Sequence, residues 1–384
     1  MLRVTPDSLR LPPTAARGRV VAGMLVAGML AGCGDSGPDR PARTAGETPA
    51  GTGSTGDRAL SRATFDDATR AIETYIGANR TREAEIVARR LASETRDDPA
   101  LARAAHEYAA RAYFARAELD ESLAADARAA LLSEAADEAA LAADAADAAA
   151  TGSTPPSPET RRFAAMLADR VGRRDEAQRL YDAALAASPD DTATLLPAAL
   201  SALARDARDP RIDAFVERHE RLAPDAAWSA GLRAEVALAR GEAATALAAA
   251  ERALALDRDL LEMRLILAKA LRANARPRDA ARLLSALSAS ERAKAAIAQQ
   301  FALALAEAGE MAQAAAAWDA AIRAQPADPY IRAEAALAFL RAGDEARAAS
   351  ELEALDALFG GAAQRARIEP VLREIRGGTA AKPG

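Results

Sequence analysis

The chain has 384 residues, 50% of them hydrophobic but only 4% aromatic, and much of the apolar share is alanine, so it has room for two or three compact domains or one extended repeat array. Alanine mixed with Leu, Arg, Glu and Asp favours helices packed close through small residues, and it disfavours sheets, which draw on β-branched and aromatic runs. A formal net charge of −6, one cysteine and two histidines leave no basic stripe for nucleic acid, no disulfide within the chain and no Cys/His zinc centre.

Residues 1–32 read as a secretory signal. Arg3, Arg10, Arg17 and Arg19 come first, against Asp7, and put a net +3 on this stretch, which leaves the body near −9. The apolar run Val20 to Leu30 follows; it is too short for a permanent membrane span, which takes about 20 residues. Small residues Ala31 and Gly32 then precede Cys33, the chain's single cysteine. Leu30-Ala31-Gly32-Cys33 resembles the lipobox of bacterial lipoproteins. The resemblance implies cleavage between Gly32 and Cys33, a diacylglycerol on the Cys33 thiol, and acylation of the new amino group. Two or more acyl chains anchor a protein stably where one does not. The other readings are an ordinary secretory signal with an incidental cysteine, or a short transmembrane anchor. In many lipoproteins of this kind an aspartate directly after the cysteine retains the protein in the inner membrane; here Gly34 holds that place and Asp35 follows. The resemblance therefore implies the periplasmic side of the outer membrane rather than the inner.

Residues 33–58 are rich in Gly, Pro, Ser and Thr and cannot bury a core, so they read as a disordered tether. The string Gly51-Thr52-Gly53-Ser54-Thr55-Gly56 sits in this linker, without the strand before it that a dinucleotide site requires. No cofactor is expected.

Residues 59–150 read as degenerate helical repeats, of which 65–98 and 103–136 fit loosely. Within 133–150, Glu134, Asp137, Glu138, Asp144 and Asp147 stand among alanines with no basic residue, the pattern of a solvated helix. Thr151 to Ser157 reads as a loop or hinge, with Pro158 suited to start the next helix.

From 158 to 362 the chain is periodic. Gly241, Ala275, Gly309 and Gly343 are spaced by 34 residues, and Gly172 opens a matching unit upstream. Five residues after each stands an alanine: Ala177, Ala246, Ala280, Ala314 and Ala348. Four further on are Tyr181, Ala250, Leu284, Trp318 and Leu352; three more bring Ala184, Ala253, Leu287, Ala321 and Leu355. Pro189 and Pro326 then mark stops. The pattern resembles the tetratricopeptide repeat (TPR), with units 158–191, 227–260, 261–294, 295–328 and 329–362. It departs from that family in lacking the early tryptophan and in carrying Ala165, Ala234, Ala268, Ala302 and Ala336 where glycine is usual. Residues 192–226 fit only with an insertion, and Pro197 and Pro210 are expected to shorten their helices. The last stretch, 363–384, reads as a capping helix and a disordered tail. The implied fold is all-α: a right-handed solenoid of antiparallel helix pairs, each pair covering the apolar face of the last.

Catalytic signals are thin. His219-Glu220 begins like a zincin motif, but the second histidine is missing. His219 and His106 read as helix-surface residues, and carboxylates such as Asp169 and Asp175 read as solvated partners of nearby arginines. No metal site is expected, and the chain reads as a non-enzyme. The resemblance implies that the first helix of each pair lines a groove for a partner protein or peptide segment. Trp228, Glu235, Lys269, Arg272, Gln299, Leu303, Tyr330, Leu337 and Leu340 fall on that lining: an apolar strip with an exposed aromatic at each end and a basic centre. In the bland alternative Trp228 and Tyr330 pack against neighbouring helices. The function expected is a lipid-anchored cell-envelope scaffold that binds other envelope proteins, as in pilus, export or outer-membrane machinery. The rival is an accessory or enzymatic protein with its active region in 59–157.

Overall fold

The computed structural model describes residues 61–144 and 155–358. The lipobox with Gly32 and Cys33, the tether, residues 145–154 and the expected capping helix after 358 lie outside the described residues. Those described form seventeen helices and no strand. They divide into two compact units at Arg205/Asp206.

The first unit holds α1 (Arg62–Gly77), α2 (Thr81–Glu94), α3 (Pro99–Leu119), α4 (Ala125–Ala143), α5 (Pro158–Arg170), α6 (Arg174–Ala187) and α7 (Thr192–Arg205). Helix α1 starts where the Ser61 hydroxyl accepts from the Thr64 amide, and it buries Phe65, Thr69 and Ile72, one stripe at helical spacing. Helix α5 starts likewise at Ser157, with Pro158 in its first turn. Each helix packs on the next, and first helices also meet the first helices that follow, α1 on α3 and α5 on α7.

The second unit holds α8 (Arg211–Leu222), α9 (Ala227–Arg240), α10 (Ala243–Leu256), α11 (Leu261–Ala273), α12 (Pro277–Ser285), α13 (Ala289–Arg292), α14 (Ala295–Glu307), α15 (Met311–Ala324), α16 (Pro329–Arg341) and α17 (Glu345–Leu358). The same stacking recurs, α9 on α10 and α11, and α11 on α14. Each unit is thus an all-α stack of helical repeats.

The register follows from sterics. Ala165, Ala234, Ala268, Ala302 and Ala336 are all fully buried in first helices; Ala177, Ala246, Ala280, Ala314 and Ala348, facing them in second helices, are at most 1% exposed. Only a methyl side chain lets two backbones come that close. Between them the chain must reverse, and Gly172, Gly241, Gly309 and Gly343 do so at φ of 78° to 87°. At the corresponding place in the third unit Ala275 takes φ 55°, and Asn79 takes φ 56° at the same place in 65–98. Asparagine tolerates this region; alanine is strained there by roughly 1–2 kcal/mol. Ala275→Gly should therefore raise stability by about 0.5–1 kcal/mol, after the larger chain entropy of glycine is deducted, read as a shift in urea midpoint.

Four expectations are corrected. Pro197 does not shorten its helix: α7 runs through it for 14 residues. The one backbone bond it forfeits falls on the carbonyl of Ala193, an exposed residue whose oxygen water can reach. Pro210 stands just outside α8, as its cap. The acidic helix α4 is no solvated element, because Ala135, Ala136, Ala139, Ala142 and Ala143 are buried. Its acids find cations elsewhere in the unit: Glu134 pairs with Arg89 of α2 at 2.6 Å and Asp137 with Arg173, in the turn before α6, at 2.6 Å. Helix α5 packs directly on α4. Finally, in 261–294 the second helix stops at Ser285, and a separate turn, α13, opens at a Ser288–Glu291 capping box.

Candidate partner-binding face

Helices α9, α11, α14 and α16 bring the expected lining residues onto successive first helices. Trp228 is half-buried in the first turn of α9. Glu235 accepts from Lys269 Nζ at 2.7 Å, with side chains 17% and 19% exposed. These two residues hold equivalent places 34 positions apart, so the pair ties one repeat to the next. Arg272 reaches onward to the following repeat, donating from Nε to Glu307 at 2.9 Å and from Nη1 to Gln300 at 2.5 Å. Gln299 and Leu303 lie half-buried beside it.

The expected basic centre is accordingly neutralised. Both cations are spent on neighbours of opposite charge, and a ligand would have to break those pairs to use them. In pairs as shielded as these, desolvation offsets much of the attraction, so their chief effect is to hold the face in register.

At the far end the expectation of an exposed aromatic fails. Leu337 is buried, and Tyr330 and Leu340 pack against the same cluster, with Ala333, Ala336 and Leu355. Burial pushes the Tyr330 phenol well above its ordinary range, reinforced by the Glu334 carboxylate beside it. Methyl-lined positions on α16 draw these larger neighbours inward, so Leu337 and Tyr330 are packing residues. Trp228, Glu235, Lys269, Arg272 and Gln299 remain on the accessible strip.

The histidines both bridge helices, and only His106 stays partly exposed. His219 is buried, its Nδ1 2.7 Å from the Ser229 hydroxyl, joining α8 to α9; burial lowers its pKa and keeps the ring neutral. His106 holds Glu138 at 2.6 Å between α3 and α4. Asp169, expected on a solvated face, points inward instead and accepts from Ser201 at 3.0 Å. The signal that could have found the His219 contact is a polar residue at a register position otherwise filled by large apolar side chains: Ser229 stands where Met263, Ile297 and Ile331 stand in the later repeats. Among the described residues no group of His, Cys, Asp and Glu could hold a metal, and no helix is long and apolar enough to cross a membrane.

No protein-family profile matches the chain, and no curated protein matches it in sequence. Solved structures do. A tetratricopeptide repeat protein from Parabacteroides merdae aligns over 63% of this chain and 93% of its own, with a TM-score of 0.50 at 13% identity. The fold is tetratricopeptide-like. A TPR protein of Thermus thermophilus aligns over 48% of this chain and all of its own, at TM-score 0.43 and 17% identity. The human IFIT1 dimer, solved with m7Gppp-AAAA, covers 77% of this chain and 73% of its own, at TM-score 0.48 and 14% identity. At these identities the likeness speaks for the fold alone.

Proposed function

We propose that the protein is a lipid-anchored scaffold of the cell envelope. It is held to the periplasmic side of the outer membrane through Cys33 and engages partner proteins along the first helices of 206–358. The observation that carries this reading is the face itself. Side chains 34 residues apart, such as Glu235 and Lys269, stand on consecutive helices and are cross-tied, which makes an extended, rigid surface. An extended or helical segment laid along such a surface is a common mode of recognition, and half-buried aromatics such as Trp228 contribute disproportionately to interfaces. The lipobox at Cys33 supplies the membrane, and the run to residue 58 supplies reach.

Two measurements test it together. Cys33→Ala should abolish fatty-acid labelling and membrane retention; persistent labelling removes the lipoprotein reading. A photo-crosslinking amino acid at Gln299 should capture a protein in intact cells, whereas one at Ala312, exposed on the second helix α15, should not. Equal capture from both positions removes the face from consideration without touching the anchor.

A further inference from the structure

Away from that face, a cavity of about 270 Å³ opens between α2, α3 and α4, lined by Arg89, Ser93, Arg96, His106, Tyr113 and Glu138. It sits at the low end of small-ligand pockets in size. Most of its polar groups are already committed. Arg89 donates to Glu85 at 2.9 Å and to Glu134 at 2.6 Å, and lies over the Tyr113 ring at 4.8 Å. The Ser93 hydroxyl donates to the Arg90 carbonyl at 2.7 Å. Glu138, the one acid in the lining, takes the Nδ1 side of His106.

Two donors are left over. Tyr113 is only 3% exposed, yet its hydroxyl has no hydrogen-bond partner among the described residues. Burial raises its pKa to about 12, so at neutral pH it is a protonated donor. The Arg96 guanidinium, at the exposed end of the same lining, has no ion-pair partner among the described residues either. Tyr113 lines the cavity, so an acceptor entering there would gain a hydrogen bond in partly dry surroundings. One carrying a single negative charge would also balance Arg96.

We propose that this cavity binds a small carboxylate, whose oxygens accept from the Tyr113 hydroxyl and the Arg96 guanidinium beside the His106–Glu138 pair. Arginine with a second neutral donor suits a carboxylate's two oxygens. The site stands independently of the scaffold reading, since it lies in the first unit and needs no protein partner.

The protein's two histidines make the test direct, because their ring resonances report separately on this cavity and on the α8–α9 contact. Sodium propionate is titrated into the full-length, nitrogen-15-labelled chain at pH 7, against sodium chloride at matched ionic strength. The His106 resonances should shift saturably with propionate alone, while those of His219 stay still. Tyr113→Phe, which removes only the hydroxyl, and Arg96→Gln, an exposed change, should each weaken binding about tenfold or more. Helical circular dichroism and a urea midpoint equal to the parent's would show that both variants remain folded. A response to propionate no greater than to chloride overturns the proposal, as does undiminished binding by the folded Tyr113→Phe variant. Saturation by inorganic phosphate at lower concentration than propionate overturns the carboxylate assignment in favour of phosphate.

Discussion

Trp318→Ala should cost the protein roughly 3–5 kcal/mol, the usual penalty for deleting a large aromatic from a packed core. Trp318 is 1% exposed on α15, and the residues around it on that helix, Ala314, Ala315, Ala317 and Ala321, are alanines that cannot swing in to fill the space. Helix α15 packs on α14 before it and α16 after it, so the cavity would open a seam shared by two repeats. In an array where each pair leans chiefly on its neighbours, the loss should concentrate there. Hydrogen exchange should accelerate first across α14 to α17, while α1 to α6 keep their protection. Trp228, the other tryptophan, remains as a fluorescence reporter of the second unit. Exchange raised evenly along the chain would mean that the repeats do not melt by neighbourhood.

The second large effect is one of pH. Burial lifts the Asp169 carboxyl from 3.8 to about 6, only partly offset by the Ser201 hydroxyl and by Arg174. Tyr181, fully buried on α6 with a hydroxyl that has no partner among the described residues, feels the same carboxylate, and Arg162 acts on it in the opposite sense. The folded state thus holds the Asp169 proton more tightly than the unfolded chain does. Its contribution is complete below about 3.8 and is lost as pH rises through about 6, so the ionised form costs roughly 2–3 kcal/mol at neutral pH. Asp169→Asn keeps an acceptor for Ser201 and never ionises. The variant should match the parent near pH 4 and exceed it by that amount at pH 7.5, in urea midpoints measured at both. Parallel curves at the two pH values would place the carboxyl in water.

What could be read from the residues was whatever repeats. The close crossings are set by methyl side chains and the reversals by glycine, and both recur at fixed spacing; Gly241, Ala246 and Trp318 therefore announced their places. Asn79 shows that the same rule reaches into the first unit, where α3 and α4 are too long for a 34-residue pair. The polar groups were harder, because a charge on a helix says nothing about which neighbour it meets. Asp169 carries the same local signature as a surface carboxylate, and only the arrival of α7 with Ser201 shields it from water. Leu337 likewise sits at a position that would face outward if α17 did not bring Leu355 against its cluster. Cys33 rests on a motif of four adjacent residues that owes nothing to packing.

The methyl-on-methyl seam also sets how such a chain can change its length. A deletion of one residue inside α10 would turn Ala246 or Ala250 away from the seam and present a larger side chain to a crossing with no spare room. Removing a whole unit, by contrast, joins equivalent positions: the stretch from Gly309 to Ala342 is followed by Gly343, another turn glycine in the same backbone state. Growth or shrinkage by complete helix pairs keeps every crossing intact, whereas drift by single residues does not. The array is therefore quantised, and duplication of a pair is the step by which its reach can be altered without rebuilding its core.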